Sequence, residues 1–206
     1  MSAKFTFIVV CFYSLTSLIS IAHADKASAT EHFGYGQIYS GLQGGWGKAF
    51  SLGSIAGDGD GRKAEYVAIL PQLGIGLSNV VGENSWFKGN LDAVFQGEFL
   101  AAYEPDSGYS AGLSLLLRYN FLYSDEWVPY LEFGGGVGVL DFDLRDQEDG
   151  LIFYPQAGLG VHYFFHDNMS VDLGWRFHHM SNANTTLPNN SINASLLLFG
   201  FSWYFD

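Results

Sequence analysis

Cysteine is almost missing from this sequence, and its scarcity narrows the possible chemistry. The single cysteine, Cys11, lies in an apolar N-terminal stretch that is predicted below to be removed. The remaining chain then has no disulfide bond, no cysteine-based metal site and no thiol nucleophile. An exported protein without disulfides is typical of the bacterial envelope, whereas small secreted domains usually depend on such bonds.

Charged residues are also scarce, at 15% of the chain, against about 25% in typical soluble domains. Only 9 Lys and Arg residues stand against 21 Asp and Glu, which gives a formal net charge of -12. Because no basic patch is visible, the sequence argues against nucleic acid as a partner. Solvated loops are the favoured explanation of the acidity, and a specific cation site is the alternative.

Long hydrophobic runs are missing after residue 24, where no segment has the length of uninterrupted apolar sequence that a spanning helix needs. The chain is nevertheless rich in residues suited to strands and interfaces, with 26 Gly, 18 Phe and 12 Tyr. A closed β-barrel is the other structure that satisfies its backbone inside a bilayer. A soluble β-sandwich that packs its aromatic residues in a core is the alternative.

The N-terminus has the pattern of an export signal. Lys4 supplies a positive start, Phe5–Ile21 is mostly apolar, and Ala22-His23-Ala24 offers small residues to a signal peptidase. A membrane-anchoring helix is the alternative, but the apolar run is short for a span and is interrupted by serines. We therefore predict a signal peptide at 1–24, cleaved before Asp25, and one β-barrel domain at 25–206.

Eight stretches have the length of a tilted membrane strand. The sequence therefore predicts an all-β fold, an eight-stranded antiparallel transmembrane β-barrel. Such a barrel is filled by side chains, which argues against a pore. The links fit this topology, since most of those predicted on the outer side are longer than those on the periplasmic side, except Glu104–Gly108. The stretches are Gln37–Trp46, Ala64–Leu77, Phe87–Tyr103, Tyr109–Tyr123, Pro129–Phe142, Leu151–Phe165, Met169–Ser181 and Ile192–Phe205.

The seventh stretch alternates most clearly between apolar and polar residues. Period-2 geometry places Trp175 and Phe177 on the lipid-facing side, and Asp172 and Arg176 in the interior. Continued to the end of the strand, the same alternation brings His179 and Ser181 to the lipid-facing side, near the outer rim. Residues spaced i, i+2 lie about 6.5–7 Å apart on one face, and a histidine that accepts a serine proton is the minimum for a serine nucleophile. A polar strand end facing the headgroups is the alternative.

The segment His179-Met180-Ser181-Asn182-Ala183, followed by Pro188-Asn189, resembles the lipid A 3-O-deacylase family of the PagL type. The match runs without gaps over residues 176–192. The resemblance implies an eight-stranded outer-membrane barrel that removes the 3-linked acyl chain of lipid A from the lipid-facing side. It also implies that Ser181 is the nucleophile and His179 the general base. Asn182 and Asn189 match the family's asparagines, and either could donate to the oxyanion; ordinary turn chemistry is the alternative for both.

The sequence departs from the family at Asn193, where a catalytic Glu is expected. Strand alternation places Asn193 on the lipid-facing side, and pairing of the last two strands should bring it near His179. An amide can orient the histidine but stabilises its positive charge poorly. No other carboxylate is an obvious substitute, because Asp172 faces the interior.

No cofactor or metal site is predicted. Asp58-Gly59-Asp60-Gly61 resembles part of a calcium loop, but Ile69 stands where the closing Glu belongs. A solvated loop is favoured there, and contact with the divalent cations that bridge lipopolysaccharide phosphates stays open. His178 and His179 point to opposite faces and cannot bind one ion together.

Two hypotheses follow for a protein of the cell outer membrane. The first is a lipid A deacylase, a serine esterase and hydrolase whose partner is lipopolysaccharide. The second is a non-catalytic barrel that keeps the scaffold for a structural or lipopolysaccharide-binding role, for which Asn193 is the best support. A homodimer stays open at this stage.

Overall fold

The computed structural model describes residues 29–51 and 63–205. The predicted signal peptide and the Asp58–Gly61 segment lie outside these residues. The described part begins with a short 3-10 helix, Ala29–His32, and continues as strands. These are β1 Ile38–Ala49, β2 Glu65–Gly76, β3 Gly89–Glu104, β4 Gly108–Phe121, β5 Trp127–Asp141, β6 Gly150–Phe153, β7 Gln156–His166, β8 Met169–Met180 and β9 Ile192–Phe205.

The strands form one closed antiparallel barrel. Consecutive strands pair with each other, except for β6 and β7, and β1 pairs with β9 to close the cylinder. The two segments β6 and β7 both pair with β5 and together occupy one strand position between β5 and β8. The barrel therefore has eight strand positions, and the predicted eight-stranded fold is confirmed. No helix in the described part of the chain is long and apolar enough to cross a membrane.

The sixth predicted strand, Leu151–Phe165, is wrong as a continuous element. It is interrupted at Pro155, which has no N–H to donate to the ladder. Tyr154 still exchanges two backbone hydrogen bonds with Gly136, at 3.1 and 2.9 Å, and the His179 N–H donates to the Pro155 carbonyl at 3.0 Å. The neighbours thus hold the chain in place across the break, next to the candidate site.

The two faces of the barrel wall differ sharply in polarity. In the interior, the buried Glu132 accepts hydrogen bonds from Arg118 at 2.8 Å and from Arg176 at 2.7 Å. The outer face exposes large apolar side chains such as Leu42, Ile69, Phe95, Phe133, Phe199 and Phe201. A polar interior inside an apolar outer band is the arrangement of a transmembrane barrel and the reverse of a soluble β-sandwich.

Apolar clusters close both ends of the interior. One cluster, which includes Leu140, Phe142, Met180 and Ile192, lies under the links 142–149 and 181–191. We call this the loop end. The other cluster surrounds Phe33 near the chain termini and the short links 122–126 and 167–168, and we call this the turn end. At the loop end, only the link 105–107 is short, which is the exception that the sequence analysis anticipated.

Candidate functional site

The faces of β8 alternate as predicted. Asp172, Arg176 and His178 are fully buried in the interior, whereas Trp175 is exposed and His179 is partly exposed on the outer wall. Asp172 accepts hydrogen bonds from Ser170 at 2.7 Å and Ser202, and it also contacts the His162 ring. Because it is inside the barrel and already engaged, Asp172 cannot serve His179.

His179 and Asn193 lie directly opposite each other in the β8–β9 ladder. The His179 Nδ1 and Asn193 Oδ1 atoms are 2.6 Å apart. A carbonyl oxygen only accepts, so in this arrangement the hydrogen is on Nδ1 and the ring's Nε2 is left as an acceptor. The predicted contact is confirmed, and with the amide oxygen facing Nδ1 the ring has the tautomer that a general base requires.

Asn193 is held firmly but is not fully satisfied. The residue is only 3% exposed, and its backbone carbonyl accepts a hydrogen bond from the N–H of Phe50, just after β1, at 2.8 Å. Within the described residues, its Nδ2 group has no hydrogen-bond partner. The amide therefore orients His179 through one oxygen and brings no negative charge to the site.

Ser181 follows β8 directly and shares the partly exposed outer face with His179. Its backbone exchanges hydrogen bonds with Phe153 at 3.1 and 2.8 Å, which extends the pairing beyond the end of β8. Over residues 29–51 and 63–205, no hydrogen bond engages the Ser181 hydroxyl or joins it to the His179 ring. Such bonds are often loose before substrate binds, and the hydroxyl is available.

The two predicted oxyanion donors brace the loop after Ser181. Asn182 donates through Nδ2 to the Thr186 carbonyl at 3.0 Å and hydroxyl at 2.9 Å. Asn189 accepts from the Asn182 N–H at 3.1 Å and donates to Asn184 at 3.0 Å. Both amide hydrogens of Asn182 are thus used, while Asn189 retains one.

Ala183 is a further candidate donor that the sequence did not predict. Ala183 and Asn184 adopt φ values of 52° and 60°, which turn the chain back immediately after Ser181. No hydrogen bond in the described structure uses the Ala183 N–H. A left-handed alanine is uncommon and has no signature in a single sequence.

The link 142–149 was also missed as part of the site. Gln147 is buried and accepts a hydrogen bond from the Ser191 N–H at 3.0 Å. Asp146 pairs with Asn190 through both backbone and side chain, each at 3.0 Å. These contacts fix Asn190 and Ser191, which lead directly into β9 and Asn193, and they join segments 44 residues apart that no local pattern connects.

Among the described residues, no group of three or more His, Cys, Asp or Glu side chains could hold an ion. His178 is inside the barrel, 2.9 Å from the Tyr66 hydroxyl, while His179 faces outward, so the predicted separation of the two rings is confirmed.

The closed ring of strands and the apolar outer wall define the class of this protein, which is an outer-membrane β-barrel protein. More specifically, it belongs to the lipid A 3-O-deacylase (PagL) family, whose model matches residues 70–202. Comparison with curated protein sequences found no match. The family and the predicted localisation in the outer membrane are thereby confirmed.

Solved structures show the same fold at low identity. The outer membrane enzyme PagL is 20% identical, with a TM-score of 0.57, over 78% of this chain and 97% of that chain. Neisserial surface protein A is 16% identical, with a TM-score of 0.54, over 82% and 97%. Ail, the attachment invasion locus protein of Yersinia pestis, is 12% identical, with a TM-score of 0.50, over 83% and 99%.

Proposed function

We propose that this protein is a lipid A 3-O-deacylase, a serine esterase that works on its lipid-facing wall in the outer leaflet. The observation that carries the proposal is the 2.6 Å contact between His179 and Asn193, on the same outward face as Ser181. It leaves the histidine Nε2 ready to accept a proton. The loop end would then face the cell exterior, and the site would lie at the level of the outer leaflet, within reach of the acyl chains of lipid A.

The reaction runs in two steps. His179 Nε2 takes the proton of Ser181 as its oxygen attacks the 3-linked ester carbonyl, and the tetrahedral intermediate expels the sugar 3-oxygen, which receives that proton. The acyl group is then on Ser181. Water, deprotonated by His179, attacks this second ester and releases the fatty acid, and the serine regains its proton.

A catalytic histidine needs the correct tautomer and a partner that stabilises its positive charge, and Asn193 supplies only the first. In serine proteases, replacing the Asp by Asn costs about 10⁴ in turnover because the wrong tautomer forms. Here the amide presents its oxygen to Nδ1, so the tautomer is retained. The missing contribution is charge stabilisation of the imidazolium, so we expect a slow enzyme.

The oxyanion would be received on the loop side of Ser181. The Ala183 N–H and the remaining amide hydrogen of Asn189 are two donors that the loop leaves unused, and they belong to the segment that follows Ser181. Asn182 would act through its loop-bracing bonds instead. Preorganised donors of this type typically contribute about 10²–10³ in turnover.

Mass spectrometry of lipid A from cells that express the protein tests this function. We expect the wild type to remove one 3-linked acyl chain and Ser181→Ala to remove none. Ser195→Ala is the matched control, because Ser195 is another outward serine nearby that only accepts from Trp175, at 2.6 Å. An unchanged lipid A mass spectrum from cells that contain correctly folded wild-type protein would contradict the proposal.

A non-catalytic barrel is the second candidate, and the neutral Asn193 is the observation that favours it. In that case the scaffold would serve a structural or lipopolysaccharide-binding role, and Ser181 would be a polar strand end. Introducing a carboxylate at position 193 discriminates the two candidates, because it should raise the activity of an enzyme and leave a non-catalytic barrel inactive.

A further inference from the structure

The strands contain three Lys or Arg residues, and they are divided unequally between the two faces. Arg118 and Arg176 are buried in the interior and bound to Glu132. Lys48 is on the outer wall, with 59% of its side chain exposed. A cation on the apolar wall is costly at membrane depth but is tolerated, and useful, at the level of the headgroups.

Strand pairing places Lys48 beside the candidate site. Lys48 lies opposite Ser195 on β9, and Ser195 lies opposite Phe177 on β8. Two strand spacings amount to about 10 Å, and His179 is two residues, about 7 Å, further along β8. Both pairs are at the loop end of their strands, so Lys48 and the proposed catalytic histidine belong to one stretch of wall.

A ladder of polar contacts holds this ammonium at the boundary. Lys48 donates to Glu65 Oε1 at 2.6 Å, and the Tyr103 hydroxyl donates to Glu65 Oε2 at 3.0 Å. Trp46 in turn donates to the Tyr103 oxygen at 2.7 Å. Tryptophan and tyrosine prefer the membrane–water interface, so the ladder fixes the depth of Lys48.

The ladder also leaves the ammonium with capacity to bind. An ammonium carries three N–H donors, and Glu65 accepts one of them. Glu65 keeps a second donor in Tyr103, so it remains partnered when Lys48 reaches for another anion. What this position offers is a strongly hydrated cation at headgroup depth, held by Glu65 on β2 through one of its three N–H donors.

We propose that Lys48 binds a phosphate group on the sugar headgroup of the lipid substrate. The inference rests on the proposed function, because lipid A is a phosphorylated, acylated sugar whose scissile ester would sit at Ser181. Lysine is a common phosphate ligand that acts as a point charge. Contact with a part of the substrate that does not react should be equal in the ground and transition states, so it should lower KM without changing kcat.

Binding to the Ser181→Ala variant tests this contact without requiring turnover. The probes are purified lipid A and the same lipid A after enzymatic dephosphorylation. Each is titrated into the protein in detergent, and binding is followed by tryptophan fluorescence. We expect Lys48→Met to weaken binding of the phosphorylated lipid about tenfold and to leave the dephosphorylated lipid unaffected. Lys48→Arg should keep most of the affinity, and Lys88→Met, at a link of the turn end, should change neither.

Two further variants separate phosphate binding from simple structural damage. Lys48→Met with Glu65→Gln removes both charges of the pair, so no unpaired carboxylate remains, and it should show the same tenfold loss. Equal losses for both lipids, or no loss for either, would overturn the assignment. In parallel kinetics, inactive wild type would contradict the deacylase function, while the binding result would still decide the role of Lys48.

Discussion

At the residue scale, the candidate site differs from the proposed Ser-His-acid arrangement by one functional group. Asn193 keeps the hydrogen bond that orients His179, at 2.6 Å, but it supplies an amide where a carboxylate is expected. Its unpartnered Nδ2 also means that nothing else in the described structure selects which end of the amide faces the ring. An amide rotated by half a turn would donate to Nδ1 and leave the histidine in the wrong tautomer.

Substitution of this one residue should therefore raise activity. We expect Asn193→Glu and the equal-sized Asn193→Asp to increase kcat by about 10–100-fold, because a carboxylate both fixes the tautomer and stabilises the imidazolium. Asn193→Leu, which removes the hydrogen bond, should abolish turnover. The measurement is initial-rate ester hydrolysis with purified protein in detergent.

The opposite result has a clear meaning. If neither the wild type nor either acidic variant cleaves lipid A while all of them fold, the non-catalytic candidate is preferred. An acidic variant slower than the wild type would instead show that the buried amide is adapted to its pocket and that the carboxylate is poorly accommodated there.

At the element scale, β1 depends on close approach between its backbone and an interior ring. A Cβ built on Gly47 would lie 2.3 Å from the Tyr66 Cζ atom, and Tyr66 in turn contacts His178 behind the site. Gly44 is on the opposite face of the same strand, where the nearest atom to such a Cβ is 3.8 Å away. A side chain is therefore excluded by packing at Gly47 but not at Gly44.

This contrast gives a matched pair of variants. Gly47→Ala should lower the free energy of unfolding by about 1–3 kcal/mol, because the ring must move in a packed interior. Gly44→Ala should be close to neutral. Urea titration of the protein in lipid vesicles measures both, and equal effects would contradict the packing described for Tyr66.

At the scale of the whole molecule, a buried charge network joins distant strands through the interior. Glu132 on β5 accepts from Arg118 on β4 and Arg176 on β8, and Arg176 also donates to Gln96 at 2.6 Å and Gln156 at 2.8 Å. Removing one member of a buried ionic group leaves its partners charged and unpaired. The network thus ties the barrel across its axis.

Glu132→Gln should accordingly destabilise the entire barrel. We expect a loss of about 3–5 kcal/mol in unfolding free energy, since two buried guanidinium groups lose their carboxylate. Glu83→Gln, an exposed change in the link between β2 and β3, is the control and should have little effect. Urea unfolding followed by tryptophan fluorescence would show the difference, and equal midpoints would refute it.

Much of the architecture was accessible from the sequence because β-strands repeat every two residues. That period predicted the inward position of Asp172 and the outward position of His179, and both agree with their burial. The break at Pro155 was missed because the flanking residues alternate well enough to conceal it. The loop donors were only partly foreseen, since Asn182 and Asn189 engage other loop atoms.

The sequence by itself determined which face of the wall each residue of a strand occupies, because successive side chains must alternate whatever the strand's partners are. Only the tertiary structure decided which residues meet across strands and loops. Barrel closure set Lys48 in line with Ser195, and the packing of two distant links set Gln147 against Ser191. Such contacts depend on the register between strands and on which distant links pack together, and no local pattern encodes either.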